Sequence, residues 1–231
     1  MKIVILSGTS CVGKTPLLNA LRRVYPDFHH ARPLLYTSRS PRPVEQEGRD
    51  YYFRDEAQIR DLDPARYAVA KTRHIRQAVD VEALLNLRET FDYVIYDIYP
   101  TLARELMNHQ LVKTAHNIVW QRIFIQPASF DDIDSVRTAM GDVSMAEALT
   151  AIQITKLVKR ARNQGIELTD QVMQDINIRA QKAWEEVLWG QDYDHILVNH
   201  DGEESKHWNE TPPEGGAGKT LELFYHLVTN Q

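Results

Sequence analysis

The sequence predicts an α/β fold in which a parallel sheet carries helices on both faces. Short apolar, β-branched runs typical of buried parallel strands cover residues 2–7, 93–96, 118–126 and 193–199. Segments with helical spacing alternate with them, at 17–24, 55–62, 77–89, 101–109, most of 131–189, and 219–228. We expect Thr101 to cap its helix, and the long helical region to break near Gly141 and at 163–165.

Length and composition indicate one α/β domain with insertions. The chain has 231 residues, and 43% of them are hydrophobic, which is enough to build a core. The net charge of −5 argues against a protein whose main role is to grip a nucleic acid backbone.

The same composition predicts a cytoplasmic enzyme. A single cysteine excludes an internal disulfide framework, so no oxidising compartment is required. No apolar run approaches the roughly 20 residues of a membrane span. Because residue 2 already opens the first predicted strand, we expect no signal peptide.

Residues 8–15 read Gly-Thr-Ser-Cys-Val-Gly-Lys-Thr, a phosphate-binding loop placed between the first strand and the first helix. Gly8 and Gly13 permit backbone angles that let successive N–H groups face one anion, and the helix N-terminus adds partial positive charge. Lys14 is expected to reach the β- and γ-phosphates of ATP, and Thr15 to offer its hydroxyl to Mg²⁺. An accidental glycine turn does not explain this placement. The predicted ATP site therefore comprises Gly8, Thr9, Ser10, Cys11, Val12, Gly13, Lys14 and Thr15.

A second glycine-rich run, 215–220, is a poorer match to a phosphate loop. Pro213 stands where the first glycine is needed, and a polar stretch precedes the run instead of a buried strand. We therefore expect a flexible loop followed by a helix start. The run ends a linker-like stretch at 200–218.

A basic, proline-containing segment follows the first helix. Arg39 and Arg42 flank a proline, and Tyr51 comes soon after them. Two guanidinium groups on a stiff backbone can hold one phosphate through forked hydrogen bonds, with a tyrosine hydroxyl as a further donor. A solvated basic turn or a proline-rich ligand segment is the simpler explanation when the segment is taken alone.

These two motifs together resemble the guanylate kinase family. Members carry Ser-Gly-x-Ser-Gly-Val-Gly-Lys-Ser/Thr and then Thr-Thr-Arg-x-Pro-Arg-x-x-Glu-x-x-Gly-x-Asp-Tyr-x-Phe. Residues 7–15 here read Ser-Gly-Thr-Ser-Cys-Val-Gly-Lys-Thr, and residues 37–53 read Thr-Ser-Arg-Ser-Pro-Arg-Pro-Val-Glu-Gln-Glu-Gly-Arg-Asp-Tyr-Tyr-Phe. The resemblance implies that Arg39, Arg42 and Tyr51 hold the phosphate of an acceptor nucleotide.

Later segments extend the resemblance. Residues 157–167 are similar to the family's lid, which implies that Arg160 closes over the transferring phosphates. Residues 176–181 are similar to the next helix and imply the same role for Arg179. Residues 196–199 are similar to the last strand, which implies that Asn199 lies beside the adenine of ATP. The catalytic residues implied are Lys14, Arg160 and Arg179.

The resemblance implies a P-loop kinase fold over the single domain 1–231. Its core is expected at 1–127 and 190–231, its acceptor-binding region at 35–90, and its helical insertion and lid at 128–189. The implied substrates are ATP, with Mg²⁺, and a small phosphorylated acceptor. A membrane partner is not expected, and nucleic acid is a less attractive one.

The chain also departs from the family pattern where that pattern reads guanine. Leu35 replaces a base-contacting serine, and residues 70–78 replace the segment that carries a base-reading glutamate. Gln164 stands at the second lid arginine, and residues near 130–155 form an insertion. Because lost hydrogen-bond partners can cost several orders of magnitude in specificity, we expect an acceptor base preference other than GMP.

Some charged residues have two explanations. Asp97 ends a predicted strand. Its functional explanation is that it orders a Mg²⁺-bound water or contacts the acceptor, and its structural explanation is that it caps a helix or a turn. Lys71, Arg73, His74 and Arg76 bind an extra phosphate or form a solvated turn, and the second explanation is favoured. The basic cluster of Lys156, Lys159, Arg160 and Arg162 is predicted to bind nucleotide phosphates. Cys11 is either an oxidation-sensitive thiol or a small hydrophobic residue, with the second favoured.

Several functions are compatible with these observations. The first is a nucleoside monophosphate kinase with altered base preference, and the second is a phosphosugar kinase of the ribose bisphosphate type. Kinase action on a modified nucleotide or DNA base, acceptor-free hydrolysis, and a non-catalytic interaction module are the others. The intact phosphate loop argues against the non-catalytic module.

Overall fold

The computed structural model describes residues 1–41, 45–72 and 75–230. Within them the strands are β1 Lys2–Gly8, β2 His30–Ala31, β3 Tyr36–Thr37, β4 Tyr52–Phe53, β5 Tyr67–Thr72, β6 Ile75–Asp80, β7 Tyr93–Asp97, β8 Val119–Gln126 and β9 His195–Val198. The helices are α1 Lys14–Val24, α2 Glu56–Arg60, α3 Val81–Asn86, α4 Pro100–Asn108, α5 Gln110–Thr114, α6 Phe130–Ala139, α7 Met145–Asn163, α8 Asp170–Gln181, α9 Ala183–Gly190 and α10 Gly215–Thr229. In this described part of the chain, no helix combines the length and apolar character needed to cross a bilayer.

The chain groups into two compact units. The first unit is Met1–Ile5 with His29–Gln121, and the second unit is Leu6–Phe28 with Arg122–Gln231. The boundaries of these two units differ from those of the core, acceptor region and lid expected from the sequence. The expected division of one domain into core, acceptor region and lid stays a prediction.

The main sheet has the strand order β2-β7-β1-β8-β9 in the described residues. β2 pairs with β7 and β8 pairs with β9, both in parallel. Residues 3–6 of β1 are completely buried, as expected for a strand covered on both faces. The predicted parallel sheet and its strands β1, β7, β8 and β9 are confirmed, whereas the two-residue β2 was too short for its periodicity to be recognised.

A second sheet, of order β4-β3-β6-β5, was not predicted. β5 and β6 form an antiparallel hairpin, and β3 pairs antiparallel with β6 and parallel with β4. The helix predicted at 77–89 is therefore wrong over its first four residues, which belong to β6. Asp80 ends that strand and accepts a hydrogen bond from the Ala83 backbone N–H, so it caps α3.

Two other expectations need correction. Thr101 is not a helix cap, because Pro100 occupies the first position of α4 and Tyr99 is the capping residue. The stretch 200–218 is not a linker. It contains a 3₁₀ turn at Lys206–Asn209 with a buried Trp208, and α10 already begins at Gly215.

The insertion near 130–155 is part of the second unit's core. It contains α6 and the first half of α7, and the predicted break near Gly141 separates them. These helices pack on β8 and α9 through a buried cluster. Its members are Phe124, Ala128, Ile133, Ala148, Leu149, Ala183 and Val187.

Candidate active site: a donor half-site and an acceptor half-site

The phosphate loop in the second unit is shaped to receive an anion. Cys11 and Gly13 have positive φ values of 61° and 92°, which turn successive backbone N–H groups toward one side of the loop. No side chain caps the N-terminus of α1, so its first N–H groups are left for a ligand. A Cβ atom on Gly8 would lie 2.5 Å from the carbonyl oxygen of Ile125, which explains why glycine is needed there.

Lys14 and Thr15 begin the helix that follows the loop. Lys14 Nζ donates to the carbonyl oxygens of Gly8 and Thr9 at 3.2 and 3.5 Å, so the ammonium group already lies along the loop. Thr15 is exposed at the first turn of α1, and its hydroxyl is accessible to a metal.

The donor set suits Mg²⁺ better than a metal held by the protein alone. In the described ranges, no group of three or more His, Cys, Asp or Glu side chains is arranged to hold a metal. Mg²⁺ in phosphate sites keeps several waters and takes few protein ligands beside the substrate phosphates. A single hydroxyl from Thr15 therefore fits the expected ion.

Asn199 joins the end of the last strand to the loop. Its side chain is completely buried, and Nδ2 donates to the carbonyl oxygen of Val12 at 2.8 Å. Oδ1 accepts from the Asp201 backbone N–H at 3.2 Å and from the Thr220 hydroxyl at 3.4 Å. The geometry makes Asn199 a support for the phosphate loop, and its contact with adenine stays a prediction.

The segment 200–204 also lies against the loop, which the sequence did not indicate. The Glu203 backbone N–H donates to the carbonyl oxygen of Cys11 at 2.9 Å. Trp208 Nε1 donates to the Gly202 carbonyl at 2.6 Å. The Asp201 carboxylate accepts from Ser205 Oγ and from the Ala217 backbone N–H, at 2.9 and 2.6 Å. The sequence signal that could have indicated this ordered segment is Asp201 four residues before Ser205, followed by Trp208.

Helix α7 presents polar side chains at positions 153, 156 and 160, which share one helix face, to the phosphate loop and to the segment 200–204. Gln153 Nε2 donates to Thr9 Oγ1 at 2.6 Å. Lys156 Nζ donates to the carbonyl oxygen of His200, and burial lowers the pKa of its ammonium group. Arg160 forms an ion pair with Glu203 at 3.1 Å. The predicted lid residue Arg160 is therefore held beside the segment that contacts Cys11.

Arg179 lies on α8, next in the lid. Its guanidinium group pairs with Asp175 one turn earlier at 2.7 Å. Ile176 and Ala180, which bracket Arg179 in sequence, pack in the same buried cluster as Cys11 and Leu157. The structure thus brings α8 to the phosphate loop, and the role of Arg179 in transfer stays a prediction.

The Cys11 thiol is enclosed by these elements. Its Sγ lies 3.6 Å from the carbonyl oxygen of Lys156 and 3.6 Å from Glu204 Oε2. Burial raises the pKa of the thiol to about 12. The thiolate is the reactive form, so this environment supports a small hydrophobic residue and argues against an oxidation-sensitive site.

The acceptor half-site in the first unit gathers around Tyr51. Arg39 makes a forked ion pair with Glu45, with N–O distances of 2.8 and 2.9 Å, and its guanidinium carbon lies 5.2 Å from the centroid of the Tyr51 ring. Burial, and then the negative charge of Asp97, raise the pKa of the Tyr51 hydroxyl. The predicted residues Arg39, Tyr51 and Asp97 therefore lie together, while Arg42 is outside the described residues.

Arg32 is a member of this cluster that sequence reasoning missed. Its positive charge opposes the rise in the Tyr51 pKa and helps to lower the pKa of Asp50. It comes directly after β2, the two-residue strand that the sequence pattern did not reveal. Recognising that strand would have placed Arg32 at a strand end, where α/β proteins often carry binding residues.

Lys71 and Arg76, the described members of the basic cluster at 71–76, do not face Tyr51. Lys71 and Arg76 are register partners in the β5–β6 hairpin, and Arg76 exchanges hydrogen bonds with Ser38, which follows β3. Alternation along the strands puts this pair on the opposite sheet face from Tyr51. Arg76 pairs there with Glu56 at 3.6 Å. Arg73 and His74 lie outside the described residues.

Comparisons with known proteins agree with a phosphate-binding loop followed by an acceptor-phosphate motif. The family model described as Guanylate kinase matches residues 1–164. The chloroplastic/mitochondrial guanylate kinase 2 of Oryza sativa subsp. japonica is 26% identical over 201 residues, which are 87% of this chain and 58% of that protein. A guanylate kinase of Nostoc sp. is 25% identical over 210 residues, 87% of this chain and 84% of its own length.

A solved structure shows the same fold. The guanylate kinase from Anaplasma phagocytophilum superimposes with a TM-score of 0.55 at 19% identity, covering 99% of this chain and 87% of that one. The predicted P-loop kinase fold is thereby confirmed. The match of the family model to residues 1–164 of 231 shows that the chain belongs to the guanylate kinase family of ATP-dependent kinases.

Proposed function

We propose that the chain is a nucleoside monophosphate kinase that transfers the γ-phosphate of ATP to an acceptor whose base is not guanine. The observation that carries this proposal is the intact phosphate cradle, in which Cys11 and Gly13 adopt positive φ values and the N-terminus of α1 is uncapped. A scaffold without a phosphate ligand has no use for the left-handed backbone of Cys11 beside an uncapped helix.

In the donor half-site, the loop N–H groups and Lys14 hold the β- and γ-phosphates. When bound, Mg²⁺ neutralises phosphate charge, and Thr15 is the residue of this chain that would hold it. Arg160 is already positioned by Glu203 on the helix that contacts the loop. Its guanidinium group can exchange a carboxylate partner for phosphate oxygens, which it binds with the same forked geometry.

In the acceptor half-site, Arg39 and Tyr51 hold the acceptor phosphate, and Arg42 is proposed from the sequence motif. An oxygen of that phosphate forms a bond to the γ-phosphorus as the bond to the β–γ bridging oxygen breaks, giving a nucleoside diphosphate and ADP. The attacking oxygen is already ionised, so the protein needs no general base. Positioning and charge neutralisation are its main contributions.

The proposed change of base preference rests on missing polar groups. Leu35, at the position of the family's base-contacting serine, is buried and apolar. The hairpin of β5 and β6 stands where the family pattern has its base-reading glutamate. Guanine binding would therefore lose hydrogen-bond partners that this family pattern supplies.

A phosphosugar kinase is the second candidate. It is favoured by the same loss of base-reading groups combined with a retained Arg39–Tyr51 cluster. Kinase action on a modified nucleotide or a DNA base is a less favoured variant. The predicted cytoplasmic location remains a prediction.

The test is an assay of ADP formation with Mg²⁺ across ribo- and deoxynucleoside monophosphates and ribose phosphates, with Lys14→Ala as control. Turnover with a nucleotide other than GMP, lost in Lys14→Ala, supports the proposal. Turnover with a ribose phosphate alone supports the second candidate. ATP binding without turnover of any acceptor contradicts both.

A further inference from the structure

One face of the four-stranded sheet combines the acceptor cluster with neutral polar side chains. Thr37 of β3 is the register partner of both Phe53 and Gln77. Since side chains alternate along a strand, Tyr51 shares the face of Phe53, and Thr72 shares the face of Gln77. The strand register therefore places Gln77 and Thr72 on the same face as Tyr51.

Gln77 is held by its neighbour on that face. Thr72 Oγ1 lies 3.2 Å from Gln77 Oε1 across the hairpin. Thr72 is only 3% exposed, whereas Gln77 is partly exposed. A glutamine amide has two donors and two acceptor lone pairs, so one contact with a threonine orients it and leaves capacity for a ligand.

The face carries no charge in the strands that the structure describes. Its strand members are uncharged, namely Thr37, Phe53, Ala68, Ala70, Thr72, Ile75, Gln77 and Val79. The carboxylates of the acceptor cluster include Glu45, which is bound to Arg39, and Asp97, whose charge acts on Tyr51. Neither belongs to these strands, so a base laid against the partly exposed part of this face meets the Gln77 amide.

We propose that Gln77, oriented by Thr72, reads the base of the acceptor nucleotide. This inference rests on the proposed nucleoside monophosphate kinase function and deepens it. An amide offers a donor beside an acceptor, and it complements a base edge with the same pattern reversed. Uracil, thymine and hypoxanthine present a carbonyl beside an N–H, and adenine and cytosine present a ring nitrogen beside an amino group.

Guanine is disfavoured by its amino group. A carboxylate accepts from the guanine N1–H and amino group together, but an amide that pairs with O6 and N1–H leaves the amino group without a partner. An unpaired donor is costly once it is buried. Hypoxanthine has the same ring without that amino group, so the inference predicts that IMP is at least as good an acceptor as GMP.

The experiment measures kcat/KM and, by calorimetry, Kd for IMP, GMP, AMP, CMP, UMP and dTMP. The variants are Gln77→Glu and Gln46→Glu. Gln46 is exposed and lies outside the strands of the four-stranded sheet, so its variant adds the same charge in the same unit but not on those strands. Circular dichroism and thermal melting verify that each variant is folded.

The wild-type protein is expected to accept IMP at least as well as GMP. Gln77→Glu is expected to raise the GMP-to-IMP ratio of kcat/KM, or of affinity, by about tenfold or more, while Gln46→Glu leaves it unchanged. A ratio that moves less than twofold in Gln77→Glu overturns the inference, as does a wild-type preference for GMP over IMP of about tenfold.

The two proposals fail separately. If nucleotides bind without turnover and Gln77→Glu shifts the affinity ratio, the inference stands and the kinase proposal falls. If a nucleoside monophosphate other than GMP is phosphorylated and Gln77→Glu leaves the GMP-to-IMP ratio unchanged, the base-reading inference is overturned while the kinase proposal stands.

Discussion

Gln153 Nε2 donates a 2.6 Å hydrogen bond to the hydroxyl of Thr9, and both side chains are completely buried. Gln153 lies in the helical insertion, and Thr9 is the second residue of the phosphate loop. An inserted helix therefore supports the loop that is proposed to bind ATP. This contact joins the part of the chain that departs most from the family pattern to the part that follows it most closely.

Removal of this contact should weaken both the fold and ATP binding. Gln153→Leu leaves the buried Thr9 hydroxyl without its partner, which costs about 1–3 kcal/mol of unfolding free energy. We expect a lower melting temperature and a raised KM for ATP. The matched control is Thr155→Ala, an exposed position on the same helix, with an expected change within about 0.5 kcal/mol. Equal melting temperatures for the two variants would show that the contact carries no stability.

The lid arginine should matter for chemistry more than for stability. Arg160 pairs with Glu203 beside the loop, whereas Arg162 is exposed two residues later on α7. Loss of a charge-stabilising donor typically lowers kcat by about 10²–10³. We expect that loss in Arg160→Ala and near-wild-type kcat in Arg162→Ala, both measured by steady-state kinetics. If both variants retain full kcat, neither arginine of α7 supplies the catalytic cation.

Thiol reagents should leave the folded protein active. Cys11 is the one cysteine of the chain, it is 5% exposed, and burial raises its pKa to about 12. The thiolate fraction near pH 8 is therefore very small. Mass spectrometry should show little alkylation of the native protein at this pH and rapid alkylation after unfolding in guanidinium chloride. Rapid native labelling that ATP prevents would instead reveal an accessible, reactive thiol.

Acid should remove a contribution made by Asp132. A hydrogen bond with His200 at 2.8 Å, and then contacts with Ser129, lower the pKa of the Asp132 carboxyl to about 2. Because the folded-state pKa lies below the unfolded value of 3.8, this stabilisation is present above that value and is lost as pH falls through about 2.

The variant Asp132→Asn tests this pH dependence. Wild type should be the more stable protein near neutral pH, and the difference in unfolding free energy should shrink between about pH 4 and pH 2. Solvent screening keeps the difference small, because the carboxyl is 45% exposed. Urea titrations at a series of pH values measure it. A difference that is the same at both ends of the series contradicts a role for the ionised carboxyl.

Sequence reasoning predicted the features that depend on local patterns. The phosphate loop, the long parallel strands and the break near Gly141 follow from glycine positions and apolar periodicity. The short strands β2, β3 and β4 were missed because two residues carry no periodicity, and Arg32 was missed with β2. Gln77 was assigned to a helix because tertiary pairing with β5 overrides its local spacing.

The contacts around Cys11 required the folded structure for a different reason. Gln153, Lys156 and Glu203 are far from the loop in sequence, and only the packing of α7 and the segment after β9 brings them there. The sequence placed Lys156 in a basic cluster for nucleotide phosphates and assigned no role to Gln153 and Glu203. Burial holds these polar groups in specific hydrogen bonds, which no periodicity argument predicts.

The most direct test of the central claim is to identify the products of the reaction with ATP and Mg²⁺. The purified protein is incubated with a mixture of nucleoside monophosphates, and the products are quantified by mass spectrometry against a Lys14→Ala control. The account predicts one nucleoside diphosphate for each ADP formed, with a base other than guanine, and neither product in the control. Formation of ADP with free phosphate and no phosphorylated acceptor, or of GDP in preference to every other diphosphate, would contradict it.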